Sequence, residues 1–426
     1  MAAKVNVKFV ILLSAALLVV AGGVGVLGAM VLFRSAEDNI RRGDEYAAQG
    51  DYMEAAKSYA KAVNKEQFNV EYLRKWADAV RQCTPETDVE YRTMYFGSYL
   101  GALRQLAVVE RTNPETQNEY LAALYRQHRL GNATADAWGS FIEQVNTSIE
   151  NLDMAQKDAQ RLLRYRGLAS VFRIRTLESV DAAERARAAD DLDKAYAADP
   201  SDLDVALAKV ELISAEAAAL FRAGRARESD ARLTDAFEAL ERVDRNHPGS
   251  PRVRLHRMLL TLERSSRSND RGDQAAVADS FRQGLSEVFD LASNAAGSSS
   301  SLDEQFVQQL ARAAVLARSE ELNQKWISLL DSFIALRPDH AAFRVERGKA
   351  LAAIDRHEDA IAQFEQVVQM PDLPVSLEGL LLRQLRNEAR RQQVESALVL
   401  WSRASGDEAK AQAMARVKGY RDDLAR

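Results

Sequence analysis

Apolar residues recur along most of this chain with the spacing of amphipathic helices. The clearest stretch lies between residues 36 and 67. Its second half has apolar positions at i, i+3, i+4, i+7, i+10 and i+11, which form one face of a helix with about 3.6 residues per turn. Gly50 can adopt the left-handed conformation that ends a helix, and Asp51 can cap the helix that follows. The pattern predicts two short helices joined by a tight turn.

A second stretch, residues 341–371, repeats this pattern. Gly348 and Leu351 lie in its first helix, and Ala360 and Phe364 lie in its second. A glycine has no Cβ, so the second helix of a pair can pack closely over it. The same type of helix pair is therefore predicted near both ends of the chain.

Both stretches resemble the tetratricopeptide repeat, a helix-turn-helix unit of about 34 residues. The residues that carry the resemblance are Gly43, Tyr46, Ala55, Tyr59 and Ala62 in the first stretch and Gly348, Leu351, Ala360 and Phe364 in the second. Gln67 replaces the family's closing proline. The resemblance implies a right-handed α-solenoid of helix pairs that binds protein segments in the concave face made by the first helices. The Lys and Asn pattern that clamps a C-terminal carboxylate in one version of the repeat is absent.

Prolines divide the region between the two stretches. Proline ends a helix because it lacks an N–H and disfavours helix in the preceding residue. Each of five prolines is predicted to close an apolar helix: Pro114, Pro200, Pro248, Pro338 and Pro371. The repeat length in the middle of the chain is then about 45 residues, longer than the family's 34. We predict nine helix pairs, the last at 375–404, and a capping helix at 406–425. For the middle pairs, another α-solenoid or an irregular bundle remains open.

The N-terminus carries a charge-free apolar run at residues 9–33, after a short basic tail at residues 1–8. As a helix rising about 1.5 Å per residue, the run is longer than the roughly 30 Å hydrocarbon core of a bilayer. This predicts a single-pass transmembrane anchor; a cleaved signal peptide is the alternative. The basic tail favours a bacterial inner-membrane protein with its N-terminus in the cytoplasm and its repeats outside.

Small residues recur every four positions within this run, at Ala21, Gly25 and Ala29. Such spacing allows two membrane helices to approach closely, which would form a homodimer. Glycine and alanine are also common in membrane helices that do not associate.

Composition indicates one candidate boundary within the helical repeats. A Gly- and Ser-rich segment at 294–301 is predicted to be a loop or a linker between repeats at 36–293 and repeats at 302–426. No convincing strand pattern occurs, so the predicted class is all-α.

The chain lacks the patterns of catalytic and cofactor sites. The net charge is only -5 and no Lys/Arg-rich run occurs, so we predict no nucleic-acid binding. Its one cysteine, Cys83, excludes an intramolecular disulfide and a thiolate zinc site. The five histidines have no metal-ligand spacing, and no phosphate-binding or nucleophile motif is present. We predict a protein that is not an enzyme and holds no cofactor.

Two groups of residues are candidate binding surfaces. Tyr91, Tyr95 and Tyr99 are spaced i, i+4, i+8 and would form a stripe that grips a partner or packs against the next repeat. A basic cluster would meet an acidic partner or anionic lipid, or form a solvated helix face: Lys157, Arg161, Arg164, Arg166, Arg173 and Arg175. The predicted function is a membrane-tethered scaffold for protein–protein interactions, in envelope assembly, secretion or quality control. An accessory subunit of an enzyme complex and a ligand- or glycan-binding sensor array are the alternatives.

Overall fold

The computed structural model describes residues 35–131, 133–177, 181–267, 271–295, 304–317 and 319–424. Every regular element in these ranges is helical and none is a strand, which confirms the predicted all-α class. The predicted anchor at 9–33, with Ala21, Gly25 and Ala29, lies outside the described residues. No helix in the described ranges combines the length and apolar character needed to span a membrane.

The chain divides into two compact units. The first comprises Met1–Cys83 and Thr93–Val109, and the second comprises Thr84–Arg92 and Glu110–Arg426. The described helices of the first unit are α1 (Ala36–Ala48), α2 (Tyr52–Lys65), α3 (Val70–Gln82), a π-helical segment (Thr93–Tyr99) and α5 (Leu100–Val109). The short helix α4 (Asp88–Arg92), which precedes the π-helical segment in the chain, belongs to the second unit.

The second unit continues with fifteen further helices in the described ranges. They are α6 (Pro114–Leu130), α7 (Ala135–Ile149), α8 (Lys157–Arg161), α9 (Leu163–Thr176), α10 (Ala182–Ala198), α11 (Leu203–Arg222), α12 (Ala226–Asn246), α13 (Pro251–Ser266), α14 (Arg271–Ala295), α15 (Glu304–Ala317), α16 (Glu320–Leu336), α17 (Ala341–Ala353), α18 (His357–Val368), α19 (Leu377–Arg403) and α20 (Asp407–Leu424).

The two repeat-like stretches form the predicted helix pairs, α1–α2 and α17–α18. A Cβ at Gly43 would overlap the ring of Tyr59, and a Cβ at Gly348 would overlap the ring of Phe364. Ala55, Ala62, Leu351 and Ala360 are fully buried beside these contacts. Tyr46 instead is half-buried, and its hydroxyl accepts a hydrogen bond from Arg42 (2.8 Å). Glycine thus brings the helices of both pairs together across an aromatic ring.

The turns of these two pairs also match. Gly50 (φ 78°) and Asp355 (φ 69°) both adopt the left-handed conformation. In each turn the next residue's N–H bonds back into the first helix: Asp51 to the Tyr46 carbonyl (3.0 Å) and Arg356 to the Leu351 carbonyl (2.9 Å). These bonds satisfy carbonyl groups that the ending helix leaves without partners.

Two expectations about the repeats need correction. Pro114 opens α6 as its first residue instead of closing a helix; Asn113 caps the same helix. The predicted pair at 375–404 is one helix of 27 residues, α19, which packs against α20. The interior of α19 contains neither proline nor glycine after Gly379, so nothing interrupts it.

The described structure does not divide into lobes at 294–301. One apolar core includes Leu255 and Phe289 before that segment and Phe306, Phe343 and Ala389 after it. Residues 296–303 themselves lie outside the described ranges. The helices on both sides of the segment therefore belong to the same compact unit.

Candidate partner-binding site

The three tyrosines predicted as a stripe do not form an exposed groove. Tyr91 and Tyr95 are 0% and 2% exposed, and Tyr99 is half-buried. The helix around them is π-helical from Thr93 to Tyr99. Because a π-helix bonds i to i+5, residues spaced by four no longer follow one face as they do in an α-helix. The rings of Tyr91 and Tyr95 are therefore buried, and the ring of Tyr99 is partly buried.

Tyr91 is held by the segment that leads into α19. Its hydroxyl donates to the Pro374 carbonyl and accepts from the Ser376 N–H (2.9 Å). Arg383 lies over its ring, with the guanidinium carbon 4.8 Å from the centroid. A Cβ at Gly379 would overlap the hydroxyl. This contact, within the second unit, places α4 firmly against α19.

A groove lies along the first helices of successive pairs in the second unit. A cavity of about 280 Å³ is lined by α9, α11 and α13. Its apolar lining includes Ile174, Val210, Leu259 and Leu260. Leu259 is 37% exposed, whereas Ile174, Val210 and Leu260 are buried beneath it. The groove therefore offers one accessible leucine side chain above a packed apolar floor.

Polar side chains of the same helices surround this surface. Arg175, Glu211, Ser214, Arg222, His256 and Glu263 line the cavity together with the apolar residues. Glu211 accepts from Arg175 (2.8 Å) and lies 2.9 Å from Nε2 of His256. Nδ1 of His256 lies 2.9 Å from the Arg252 carbonyl oxygen. Both ring nitrogens therefore face acceptor oxygens of neighbouring residues.

The carboxylate of Glu211 is held in its charged form. Burial alone would raise its pKa, but Arg175 and His256 more than offset this and lower the pKa to about 2. Ser214 donates to Glu263, which also pairs with Arg267. The charges that line the groove are thus fixed by partners on neighbouring helices.

A second network joins the starts of α9, α11 and α13 to the end of α6. Three arginines from three helices pair with Asp204: Arg129 of α6, Arg164 of α9 and Arg252 of α13. Burial would raise the pKa of Asp204, but Arg252 and Arg129 lower it below its ordinary value. Asp202, which caps α11, pairs with Arg164 (2.8 Å). Four successive first helices are connected by these pairs.

The predicted basic cluster is part of this internal pairing. Arg164 and Arg175 belong to the networks above, Arg166 pairs with Asp191 (2.6 Å), and Arg173 pairs with Glu184. Asp191 is 1% exposed, so its pairing with Arg166 is needed to stabilise a buried charge. Arg161 also pairs with Asp158 (3.4 Å). Five of the six basic residues therefore pair with acidic residues of the same unit, so they are not a free surface for an acidic partner.

A larger cavity lies elsewhere in the second unit, where the turn before α17, the end of α18 and the start of α19 meet. Its volume is about 700 Å³. Its apolar lining includes Met370, Leu373, Leu381, Leu382 and Leu385. Within the described residues, no group of His, Cys, Asp or Glu is arranged to hold a metal ion.

Residue spacing contains the signal for the groove that sequence reasoning missed. Glu211 and His256 are 45 positions apart, and Asp204 and Arg252 are 48 apart. These separations match the repeat length of about 45 that the prolines indicate, so residues one repeat apart become neighbours on adjacent first helices. His256, 7% exposed, is accordingly buried and paired.

Comparison with known proteins adds a family match. A model described as "Tetratricopeptide repeat" matches residues 218–250, from the last turns of α11 through α12. No curated protein sequence matches this chain significantly.

Several solved structures resemble the chain. The crystal structure of yeast Tom70 is 14% identical, the match covers 85% of this chain and 65% of that one, and the TM-score is 0.38. A tetratricopeptide repeat protein from Parabacteroides merdae is 13% identical over 83% of this chain and 98% of that one, with a TM-score of 0.37. The human IFIT1 dimer with m7Gppp-AAAA is 14% identical over 92% and 91%, with a TM-score of 0.36.

The family match falls on a central helix pair, whereas the resemblance in sequence is clearest at 36–67 and 341–371. The glycine-to-ring contacts and matching turns of α1–α2 and α17–α18 are those expected of such units. The chain is thus similar to tetratricopeptide-repeat proteins at residues 218–250, where the family model matches, and its helix pairs at both ends resemble the same repeat.

Proposed function

We propose that this protein is a membrane-tethered scaffold whose first-helix groove, lined by α9, α11 and α13, holds a short segment of a protein partner. The observation that carries the proposal is the exposed side chain of Leu259 in a cavity that three successive first helices line. Its cavity of about 280 Å³ is smaller than the roughly 300–1,000 Å³ of small-molecule sites. It suits one apolar side chain of an extended peptide.

The fixed charges around the groove support this use. Arg175, Glu211 and His256 already pair with one another, so a partner segment need not reorganise them on binding. A binding surface that is ordered in advance loses less side-chain entropy when the complex forms. The groove is expected to select a segment with an apolar residue flanked by polar ones.

A charged side chain introduced into the apolar part of the groove tests the proposal. Leu259→Glu places a carboxylate on the apolar surface and is expected to abolish capture of the partner. Leu398→Glu is the matched control, because Leu398 is a leucine of similar exposure (42%) on α19. Partners are captured from native membranes with a photo-crosslinker at Ala218, which lines the cavity, and identified by mass spectrometry. Equal capture by both variants would rule out the groove.

The tether is the apolar run at 9–33, and we place the repeats on the far side of a bacterial inner membrane from the cytoplasm. The basic tail of Lys4 and Lys8 before the run supports this orientation. Roles in envelope assembly, secretion or quality control suit a scaffold in that location. A C-terminal alkaline phosphatase fusion should be active; an active cytoplasmic reporter fusion would reverse the orientation.

Capture of an apolar small molecule is a second candidate function. The 700 Å³ cavity favours it, because its size falls within the range of ligand sites and its lining is largely apolar. Native mass spectrometry of the purified protein should then show a co-purified ligand. Leu381→Arg, which changes the lining, should lose that ligand, whereas Leu398→Arg should retain it.

A further inference from the structure

The end of the first unit from which α1 begins carries exposed apolar side chains. Phe68 lies in the turn between α2 and α3 and is 68% exposed. Val108 lies in the last turn of α5 and is 58% exposed. The amide of Gln105, one turn before Val108, donates to the Gln67 carbonyl (3.3 Å). Since residues three apart are neighbours on a helix, Phe68 and Val108 form one apolar tip.

The start of α1 lies at this same tip. Gly43 of α1 packs under Tyr59 of α2, and the two helices run in opposite directions from a tight turn. Ala36, seven residues before Gly43, therefore lies at the same end of the pair as Glu66, seven residues after Tyr59. Electrostatics agree with this placement, because burial and then the carboxylates of Glu66 and Glu37 raise the pKa of Tyr72, at the start of α3.

The position of the apolar run fixes what this tip faces. The run ends at Phe33, and α1 begins at Ala36. Three residue steps span at most about 11 Å of extended chain. If the run crosses a bilayer, the tip must lie close to the headgroup layer, where apolar and aromatic side chains are commonly buried by about 5–10 Å.

We infer that Phe68 and Val108 insert into the lipid interface beside the anchor and so fix the first unit against the membrane. This inference rests on the proposed anchor. The contact is apolar in character because the exposed side chains of Phe68 and Val108 form it, and the nearby charges are of both signs, with Lys65 beside Glu37 and Glu66. It therefore needs no anionic lipid, and added salt leaves it unchanged.

Photo-crosslinking of the full chain in phosphatidylcholine nanodiscs tests the inference. p-Benzoylphenylalanine replaces Phe68, Val108 or Phe96, and alkyne-tagged lipid reports adducts. Phe96 is the matched control: it is an exposed phenylalanine (42%) of the same unit, roughly 18 Å along the helix from Val108 at about 1.5 Å per residue. Several-fold more lipid adduct at positions 68 and 108 than at 96 is expected, with and without anionic lipid.

Other results would overturn the inference in distinguishable ways. One such result is protein that resists alkaline carbonate extraction but yields no more lipid adduct at position 68 than at position 96. The anchor would then be retained, and only the lipid contact would be contradicted. A crosslinked product of twice the chain mass at position 68 would show that the tip contacts a second copy of the chain. Protein that carbonate extracts from the membrane would refute both the anchor and the contact that rests on it.

Discussion

The terminal and central repeats hold their helices together by different means. In α1–α2 and α17–α18 a glycine lies under an aromatic ring. In α9–α10 the glycine remains, but Gly167 faces the aliphatic side chain of Leu192 instead. The central first helices are connected in addition by charged pairs around Asp204 and Glu211. The same helix-pair geometry thus tolerates different contacts, and the family model matches a central pair, α11–α12, as well as the terminal pairs resembling the repeat.

The largest expected effect breaks a glycine contact. In Gly348→Leu, the side chain overlaps the Phe364 ring, and we expect a loss of about 3 kcal/mol in the free energy of unfolding. Because repeats are stabilised mainly by their nearest neighbours, lost hydrogen-exchange protection should centre on α17 and α18. Gly419→Leu is the control, since nothing surrounds that position within 4 Å. A uniform loss of protection along the chain would indicate one cooperative bundle.

Removing the shared acid of the central network should cost slightly less. Asp204→Ala leaves Arg129 and Arg252 without their carboxylate, and both arginines are mostly buried. We expect a loss of about 2–3 kcal/mol, below the usual range for fully buried pairs because Asp204 is 23% exposed. Urea unfolding measures the change. Stability equal to that of the wild type would mean that the network orients the helices but contributes little to the free energy of unfolding.

Acid should weaken the groove in a defined pH window. The folded pKa of Glu211, about 2, is below its ordinary value of 4.5, so its stabilising contribution is complete above pH 4.5 and is lost as the pH falls towards 2. The full shift corresponds to about 3 kcal/mol, and solvent around a carboxylate that is 21% exposed reduces this to about 2 kcal/mol. Glu211→Gln lacks this titration, so the difference in unfolding midpoint between the wild type and the variant should shrink below pH 4.5. A constant difference down to pH 3 would contradict the assignment.

The smallest effect is expected at an exposed pair of the first unit. Asp38→Asn removes the pair with Arg41, whose side chain is 75% exposed. Exposed pairs contribute about 0–1 kcal/mol and are screened by salt. The melting temperature should change little at physiological salt. A loss as large as that of Asp204→Ala would remove the distinction between exposed and buried pairs.

Local patterns made the terminal pairs predictable. The spacing of Ala55, Tyr59 and Ala62 and the turn at Gly50 depend on residues a few positions apart, and the structure follows them. Long-range contacts carry no such signal. Tyr91 meets Ser376 across 285 positions, so its burial did not follow from its own helix. Glu211 and His256 were recognisable only through the repeat length, because their contact joins two different helix pairs.

The contact between Tyr91 and the segment before α19 also sets an order for folding during synthesis. Ribosomes add about 5–20 residues per second, so the 285 positions between Tyr91 and Ser376 take roughly 15–60 s to make. During that time α1, α2 and the central pairs can form from local contacts, while Tyr91 has no place to dock. Its burial is therefore among the last steps of folding. A chain truncated before Pro374 would leave that ring exposed as a recognition signal for chaperones and proteases.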